Sequence, residues 1–349
     1  MNIVDRHCID QNSSVRTALA RLNDIAPDSI LFVVDEDYKL IGSLTDGDLR
    51  RGFINNLDFN EPLTKFIRTN PISIHLSSYT LEQLEDFKNR DFKIIPILDE
   101  NNAIVDILNF KYQDTIIPAD VILMAGGKGK RLMPLTANTP KPLLRIGEKP
   151  IIEYNIDRFI KCGIKNINLS INYLGEQLVE YFGNGSIKSA NIKYVCETKP
   201  LGTIGSILLV DQFNFEDIII MNSDILTNID FADFYKTYKN SNADMAIAAT
   251  SYHVDVPYAV LEVDDTNKIQ SLKEKPRYTY YSNAGIYIIK RDLLRMIPED
   301  QFYDITDLMD DILLKGKNLI TYPITGYWLD IGKHEDFKKA QEDIKHIKL

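Results

Sequence analysis

The segment Ile30-Leu31-Phe32-Val33-Val34-Asp35-Glu36 occurs a second time as Ile94-Ile95-Pro96-Ile97-Leu98-Asp99-Glu100, each residue 64 positions after its counterpart. Ser13-Ser14-Val15 returns at the same offset as Ser77-Ser78-Tyr79. A fixed period limits the folds open to the first third of the chain, because one supersecondary unit must be built twice. Each copy reads as a helix (15–23 and 81–89), an apolar strand, an Asp-containing turn and a second strand (40–44 and 104–108). Neither copy can bury its apolar face alone, so the two are expected to pack on each other.

In the first copy the second strand runs into Gly42-Ser43-Leu44-Thr45-Asp46-Gly47-Asp48-Leu49-Arg50-Arg51. A helix starting there would favour phosphate at its N-terminus, and a carboxylate can accept from two vicinal hydroxyls. With these residues, 1–115 resembles an α+β tandem pair of cystathionine-β-synthase-type (CBS) repeats. The resemblance implies a regulatory nucleotide, with Thr45 near a phosphate and Asp48 on ribose hydroxyls. In the second copy Gly42, Thr45 and Asp48 become Asp106, Asn109 and Tyr112, so at most one such site is expected. The competing reading is that Asp46 and Asp48 cap a helix and the repeats serve assembly.

Residues 116–349 alternate strands with helices, the pattern of an α/β domain with a largely parallel sheet. Strands are expected at 121–124, 166–171, 192–196, 218–222, 245–250, 259–263, 282–289 and 320–323. Helices are expected at 151–162, 175–182, 204–210 and 336–344. Tyr278-Thr279-Tyr280-Tyr281 reads as core or sheet edge.

The strand Val121-Ile122-Leu123-Met124 opens into Ala125-Gly126-Gly127-Lys128-Gly129-Lys130-Arg131-Leu132. Glycines there let backbone N–H groups approach phosphate oxygens, and the cations add charge. Leu132 stands where a dinucleotide fingerprint needs glycine, and no Gly-Lys-Ser/Thr follows as in the triphosphate P-loop. Further on, Thr139-Pro140-Lys141-Pro142 stiffens the chain around one lysine. The net charge of −10 argues against a nucleic-acid partner but not against a small phosphorylated ligand in a local basic pocket. Cys8, Cys162 and Cys196 have no metal or redox spacing, fit a reducing compartment and read as packing. The N-terminus lacks an apolar signal core and no apolar run spans a bilayer, so a cytoplasmic protein without a membrane partner is expected.

On the run 125–142, residues 119–349 resemble the sugar-1-phosphate nucleotidyltransferases, the hexose-1-phosphate guanylyl-, thymidylyl- and uridylyltransferases. Further matches follow in that family's order: Glu197-Thr198-Lys199-Pro200-Leu201-Gly202-Thr203, Asn222-Ser223-Asp224, Lys273-Glu274-Lys275-Pro276, Asn283-Ala284-Gly285 and Trp328-Leu329-Asp330. The resemblance implies a Rossmann-like domain with a mixed, mostly parallel sheet. It also implies Mg²⁺ on Asp224 and Asp330, and catalysis by Arg131, Lys141 and Asp224. Nucleotide would be held by Ala125, Gly126, Gly127, Gly129, Lys130, Glu197, Gly202 and Thr203, with the base lying on Gly202. The sugar phosphate would fall to Glu274, Lys275, Asn283 and Gly285. Lys130 departs from the family, which has a small hydroxyl residue there, and Ala259 departs from a common Tyr-Gly step. The implied substrates are a nucleoside triphosphate, with GTP favoured by the joined repeats, and a hexose or hexosamine 1-phosphate, in a homo-oligomer. Cytidylyl transfer to a phosphorylated alcohol, a metal-dependent glycosyltransferase and a non-catalytic nucleotide sensor are the alternatives. No histidine has a partner at ligand spacing.

Overall fold

The computed structural model describes residues 3–188, 190–347 and 349. The chain divides into two compact units, Met1–Ile116 and Ile117–Leu349.

The first unit contains β1 (Cys8–Asp10), α1 (Val15–Asp24), β2 (Ile30–Val34), β3 (Leu40–Thr45), α2 (Asp46–Ile54), β4 (Ile74–His75), α3 (Leu81–Asn89), β5 (Ile94–Leu98) and β6 (Ile104–Asn109). The period of 64 holds to atomic detail. The β2–β3 ladder slips between Val33 and Val34, and the β5–β6 ladder slips between Ile97 and Leu98. In one turn Asp35 Oδ1 accepts from Asp37 N and Lys39 N at 2.9 Å; in the other Asp99 Oδ1 accepts from Asn101 N at 2.8 Å and Ala103 N at 2.9 Å. Tyr38 and Asn102 both take positive φ, at 60° and 63°. The two turns bond to each other, Leu40 N to Asn102 O at 3.1 Å and Ile104 N to Tyr38 O at 2.9 Å. One buried cluster draws Phe32 and Val34 from the first copy and Ile94, Leu98 and Ile104 from the second. The copies therefore do pack on each other.

The second unit contains β7 (Ala119–Met124), α4 (Ile151–Lys161), β8 (Asn166–Ile171), α5 (Gly175–Phe182), β9 (Asn191–Cys196), β10 (Asp217–Asn222), β11 (Ile225–Thr227), α6 (Phe231–Asn240), β12 (Met245–Asp255), β13 (Val260–Val263), β14 (Ile269–Lys273), β15 (Arg277–Lys290), α7 (Ile305–Leu314), β16 (Leu319–Pro323), β17 (Trp328–Asp330) and α8 (His334–Asp343). Seven strands form the main sheet in the order β9-β8-β7-β10-β15-β12-β16. Only β15 runs against its neighbours. The central strands β7 and β10 are apolar on both faces, as a sheet covered by helices on each side requires.

Some sequence expectations change. Residues 204–210 form no α-helix: Gly205–Leu209 is a 3₁₀ turn, because Ile204 N and Gly205 N are both drawn to Tyr303 O, at 3.2 and 3.3 Å. Of the two readings of Tyr278–Tyr281, the sheet edge fits and the core does not: Tyr280 and Tyr281 lie on β15 and are 58% and 60% exposed. Cys196 is exposed, so only buried Cys8 fits plain packing fully. Among the described residues no helix is long and apolar enough to cross a membrane.

Candidate active site

Strands β7 and β10 are parallel neighbours with Met124 opposite Asn222, so the loops leaving their carboxyl ends start from one edge of the sheet. In open α/β sheets that edge is where ligands bind. Ser223 ties the two loops together, its N and Oγ donating to Met124 O at 3.2 and 2.7 Å.

The first loop has the form of a phosphate cradle. Ala125 is buried and its N–H goes to Ser170 O at 2.8 Å. From Gly126 to Arg131 no backbone N–H has an acceptor among the described residues. A Cβ on Gly126 would meet Asn172 Cβ at 3.2 Å and Glu197 Oε1 at 3.3 Å, whereas Gly127 faces open space. Gly129 packs where a Cβ would stand 2.8 Å from Thr136 Cγ2, and buried Thr136 donates to Gly129 O at 2.8 Å. Lys128, Lys130 and Arg131 are exposed and enter no ion pair among the described residues. The Arg131 guanidinium runs along the backbone of Gly332, 3.4 Å from where a Cβ would stand.

Lys141 leaves Pro140 in a short 3₁₀ turn and is only 9% exposed. Its ammonium hydrogen-bonds the carboxylate of Asp224, the second residue after β10. Asp224 O accepts from Ile331 N at 3.0 Å, and Asp330 lies opposite Ile225 in the β11–β17 ribbon, so Asp224, in the turn just before β11, adjoins the end of β17 that carries Asp330. Burial first, and then the Asp224 carboxylate, push Asp330 above the usual carboxylate range; Lys141 and Arg131 pull the other way. Asp330 keeps an exposed side, so solvent tempers that shift. Arg131, Lys141, Asp224 and Asp330 thus share one electrostatic environment. Among the described residues no group of three or more His, Cys, Asp or Glu side chains is placed to hold a metal. Two hard oxygen donors on adjoining segments nevertheless fit a Mg²⁺ ion, which takes one or two carboxylates and completes its shell with water and phosphate.

The residues that hold this ribbon escaped the sequence reading. On α4, Asn155 Nδ2 donates to Ile225 O at 2.9 Å, and Arg158 donates to both Thr227 O and Ile229 O. The Arg158 guanidinium also lies over the Phe231 ring at 5.2 Å. From the other side Trp328 Nε1 donates to Ala284 O at 2.9 Å, a packing role for the only tryptophan. The sole sequence signal of Asn155 and Arg158 is polarity on an otherwise apolar helix face, whereas Trp328 reads as packing from sequence.

Glu197 follows β9 at the same sheet edge and takes Ser170 Oγ at 2.8 Å. Gly202 differs from expectation in its reason. Its φ is +80°, and a Cβ would stand 2.4 Å from Tyr303 O, so the glycine is required by the protein's own backbone. Thr203 is likewise engaged: its N and Oγ1 donate to Asp304 Oδ1 at 2.8 and 3.1 Å, and its Oγ1 accepts from Ile305 N at 2.8 Å. Gly285, at φ +70°, lets β15 pass Asn222, whose Nδ2 would be 2.7 Å from a Cβ. Asn283 Oδ1 accepts from Gly285 N at 2.9 Å. Glu274 and Lys275 are exposed on the turn before β15, away from any ion pair among the described residues, with Lys275 at φ +42°. The structure brings Asn283 and Gly285 to the sheet edge and leaves Glu274 and Lys275 in solvent.

In the first unit Thr45 and Asp48 cap α2 reciprocally. Asp48 Oδ2 accepts from Thr45 N at 2.9 Å and Thr45 Oγ1 at 2.6 Å, and Asp48 pairs with Arg51. The equivalent of Thr45 in the second copy, Asn109, is buried and donates to Asp28 Oδ2 at 3.3 Å. That side chain links the copies.

The Nucleotidyl transferase family matches residues 120–347, and the CBS domain family matches residues 3–55. A mannose-1-phosphate guanyltransferase of Yarrowia lipolytica is 32% identical over 62% of this chain and 61% of its own length. The bifunctional protein GlmU of Methanococcus aeolicus is 33% identical over 66% of this chain and 55% of its own. The chain thus spans about three fifths of the length of the curated relatives it matches. The crystal structure of HddC from Yersinia pseudotuberculosis is 27% identical, covers 65% of this chain and 99% of its own, and superposes with a TM-score of 0.50. With the family matched across the sheet, the cradle and both aspartates, this chain belongs to the nucleotidyltransferases.

Proposed function

We propose that the protein transfers a nucleoside monophosphate from a nucleoside triphosphate to a hexose or hexosamine 1-phosphate, releasing pyrophosphate. The observation carrying this reading is the Lys141–Asp224 pair beside Asp330 and Arg131, at the carboxyl ends of β7 and β10. The base is proposed to be guanine: similar proteins carry mannose-1-phosphate guanyltransferase names. The boundary of catalytic domain (116–349) and regulatory domain (1–115) belongs to the same proposal.

A phosphate oxygen of the sugar 1-phosphate attacks the α-phosphorus; the bond to the bridging oxygen breaks and pyrophosphate leaves with its electrons. The nucleophile is already an anion, so the site needs positioning and charge neutralisation more than a base. The open N–H groups of 126–131 receive the triphosphate, with Lys130 beside it. Arg131 grips the departing pyrophosphate through its planar fork. Lys141 exchanges Asp224 for the phosphates that meet there. Asp224 and Asp330 would hold Mg²⁺, which when bound would neutralise charge on the reacting phosphates. Glu197 and the 197–203 loop border the base, Asn283 and Gly285 the sugar, and Glu274 and Lys275 the sugar phosphate once their turn folds inward. Pyrophosphate release should be measured for each triphosphate against a panel of sugar 1-phosphates. Release that needs both GTP and a hexose or hexosamine 1-phosphate is expected. Release with CTP and phosphocholine alone, or none with any pair, would replace the reading by cytidylyl transfer or by sensing.

A further inference from the structure

Two cations of the site stand at the ends of one loop. Arg131 opens it and Lys141 closes it, and prolines at 134, 140 and 142 deprive it of backbone donors. On its inner side the loop folds back on the cradle. A Cβ on Gly129 would stand 2.8 Å from Thr136 Cγ2 and 3.2 Å from Lys141 Cβ, so Gly129 packs against both.

The outer side is held by side chains from elsewhere in the chain. Three successive carbonyls, those of Thr136, Ala137 and Asn138, meet the start of α5. Tyr173 Oη donates to Ala137 O at 3.0 Å and reaches Thr136 O at 3.4 Å, and Gln177 Nε2 donates to Asn138 O at 3.0 Å. Nearer Arg131, His334 Nε2 donates to Met133 O at 2.8 Å. Tyr173 lies in the turn between β8 and α5, and its neighbour Asn172 engages two more walls of the site. Asn172 Nδ2 donates to Glu197 O at 3.2 Å, and a Cβ on Gly126 would meet Asn172 Cβ at 3.2 Å. One turn thus touches the first glycine of the cradle, the residue after β9 and the loop that delivers Lys141. Tyr173 and Gln177 are only half-buried, so their polar ends do more here than fill a core.

Prolines on either side of Lys141 stiffen it within its loop, but the loop must also be fixed to the sheet edge. A misplacement of about 1 Å can cost on the order of 10²-fold in rate. Resting on the reaction proposed above, we infer that Tyr173 and Gln177 are positioning residues: they fix the loop, and through it the Lys141 ammonium, against the cradle. The open N–H groups of 126–131 do not depend on the carbonyls of 136–138, so the pair acts on turnover more than on triphosphate binding.

The test is a double-mutant cycle. Tyr173→Phe keeps the ring and Gln177→Met keeps the length, so together they remove two donors and little packing. Losing two neutral hydrogen bonds of ordinary strength should lower kcat about 10-fold and move the KM for GTP by less than about 3-fold. In a Lys141→Met background the same pair should cost less than about 2-fold, because the group it positions is gone. Equal losses in both backgrounds, or no loss with Lys141 in place, overturn the inference. Tyr173→Phe alone, with a loss of about 3-fold, gives the same reading should the pair not fold. Hydrogen–deuterium exchange reads the loop without substrate. The amides of Ala137, Leu143 and Leu144 donate to Pro134 O, Pro140 O and Lys141 O. In the pair variant they should exchange about 10-fold faster, with the amides of β8 unchanged. Unchanged loop exchange overturns the inference. A wild type without turnover counts against the proposed reaction, and the exchange alone then decides whether the pair holds the loop.

Discussion

A lysine held between two prolines has few positions open to it, and this chain uses that stiffness to aim one ammonium. Lys141 is nearly buried and spends its charge on Asp224. Lys141→Met removes the one cation bonded to that carboxylate among the described residues, and turnover should fall on the order of 10²–10³-fold, measured by pyrophosphate release with the thermal melt as control. Lys141→Arg should not restore it, because a guanidinium is a planar fork rather than a point charge. Gly202 yields a prediction of another kind. Gly202→Ala forces a Cβ into Tyr303 O at positive φ and should destabilise by more than about 1 kcal/mol, seen as a lower melting temperature. Both residues are legible in sequence, but for different reasons. Lys141 is marked by its prolines and its motif, so its role can be read locally. Gly202 is marked by motif alone, and what requires the glycine is Tyr303, about a hundred residues on. No local pattern reveals a contact of that range. Glu274 and Lys275 illustrate the converse: a motif names them, and the fold leaves them in solvent.

The element that matters most to the site is a short one. The β11–β17 ribbon carries the surroundings of both aspartates, and strands of three residues leave almost no trace in hydropathy. α4 holds the ribbon through Arg158. Arg158→Met strands two carbonyls, and the Mg²⁺ concentration for half-maximal rate should rise about 10-fold, as for outer partners of metal ligands; titration of rate against Mg²⁺ checks this. The helix α6 was also absent from the sequence expectations. Phe231, Phe234, Tyr235 and Tyr238 fall at i, i+3, i+4 and i+7, and Asp230 caps it by accepting Asp233 N at 3.0 Å. Aromatic residues rank low in helix propensity, so only the period discloses the helix. At the start of β12, burial raises the Asp244 carboxyl, but Asn318 N and Lys290 outweigh it and hold it below its usual value. A carboxylate depressed on folding contributes stability above its unfolded pKa and loses it as pH falls through the folded one. Asp244→Asn should therefore lower stability at pH 7, with the difference shrinking once pH drops below the ordinary aspartate range, as denaturant melts at a series of pH values would record.

Across the molecule, an exact structural repeat has become chemically unequal. Bulges, turn aspartates and positive-φ residues recur at the 64-residue offset, yet Thr45 and Asp48 have no counterparts of the same type. The second copy has turned that position inward, with Asn109 on Asp28, while the first keeps a reciprocal helix cap. If that cap takes a regulatory nucleotide, Asp48→Asn in the full chain should abolish the nucleotide's effect on rate and leave the basal rate unchanged. Repeat and α/β order were both readable, because each is written in periodicity; the outer ends of β12 and β15 were not, since they bury almost nothing. The central claim remains the chemistry at Asp224. Phosphorus NMR of the full chain with GTP, a hexose 1-phosphate and Mg²⁺, run beside Asp224→Asn, tests it most directly. The account predicts paired diphosphate resonances of a nucleotide sugar appearing in step with pyrophosphate, and in the variant a rate on the order of 10²-fold lower or less. Undiminished turnover in the variant, or orthophosphate in place of pyrophosphate, would contradict it.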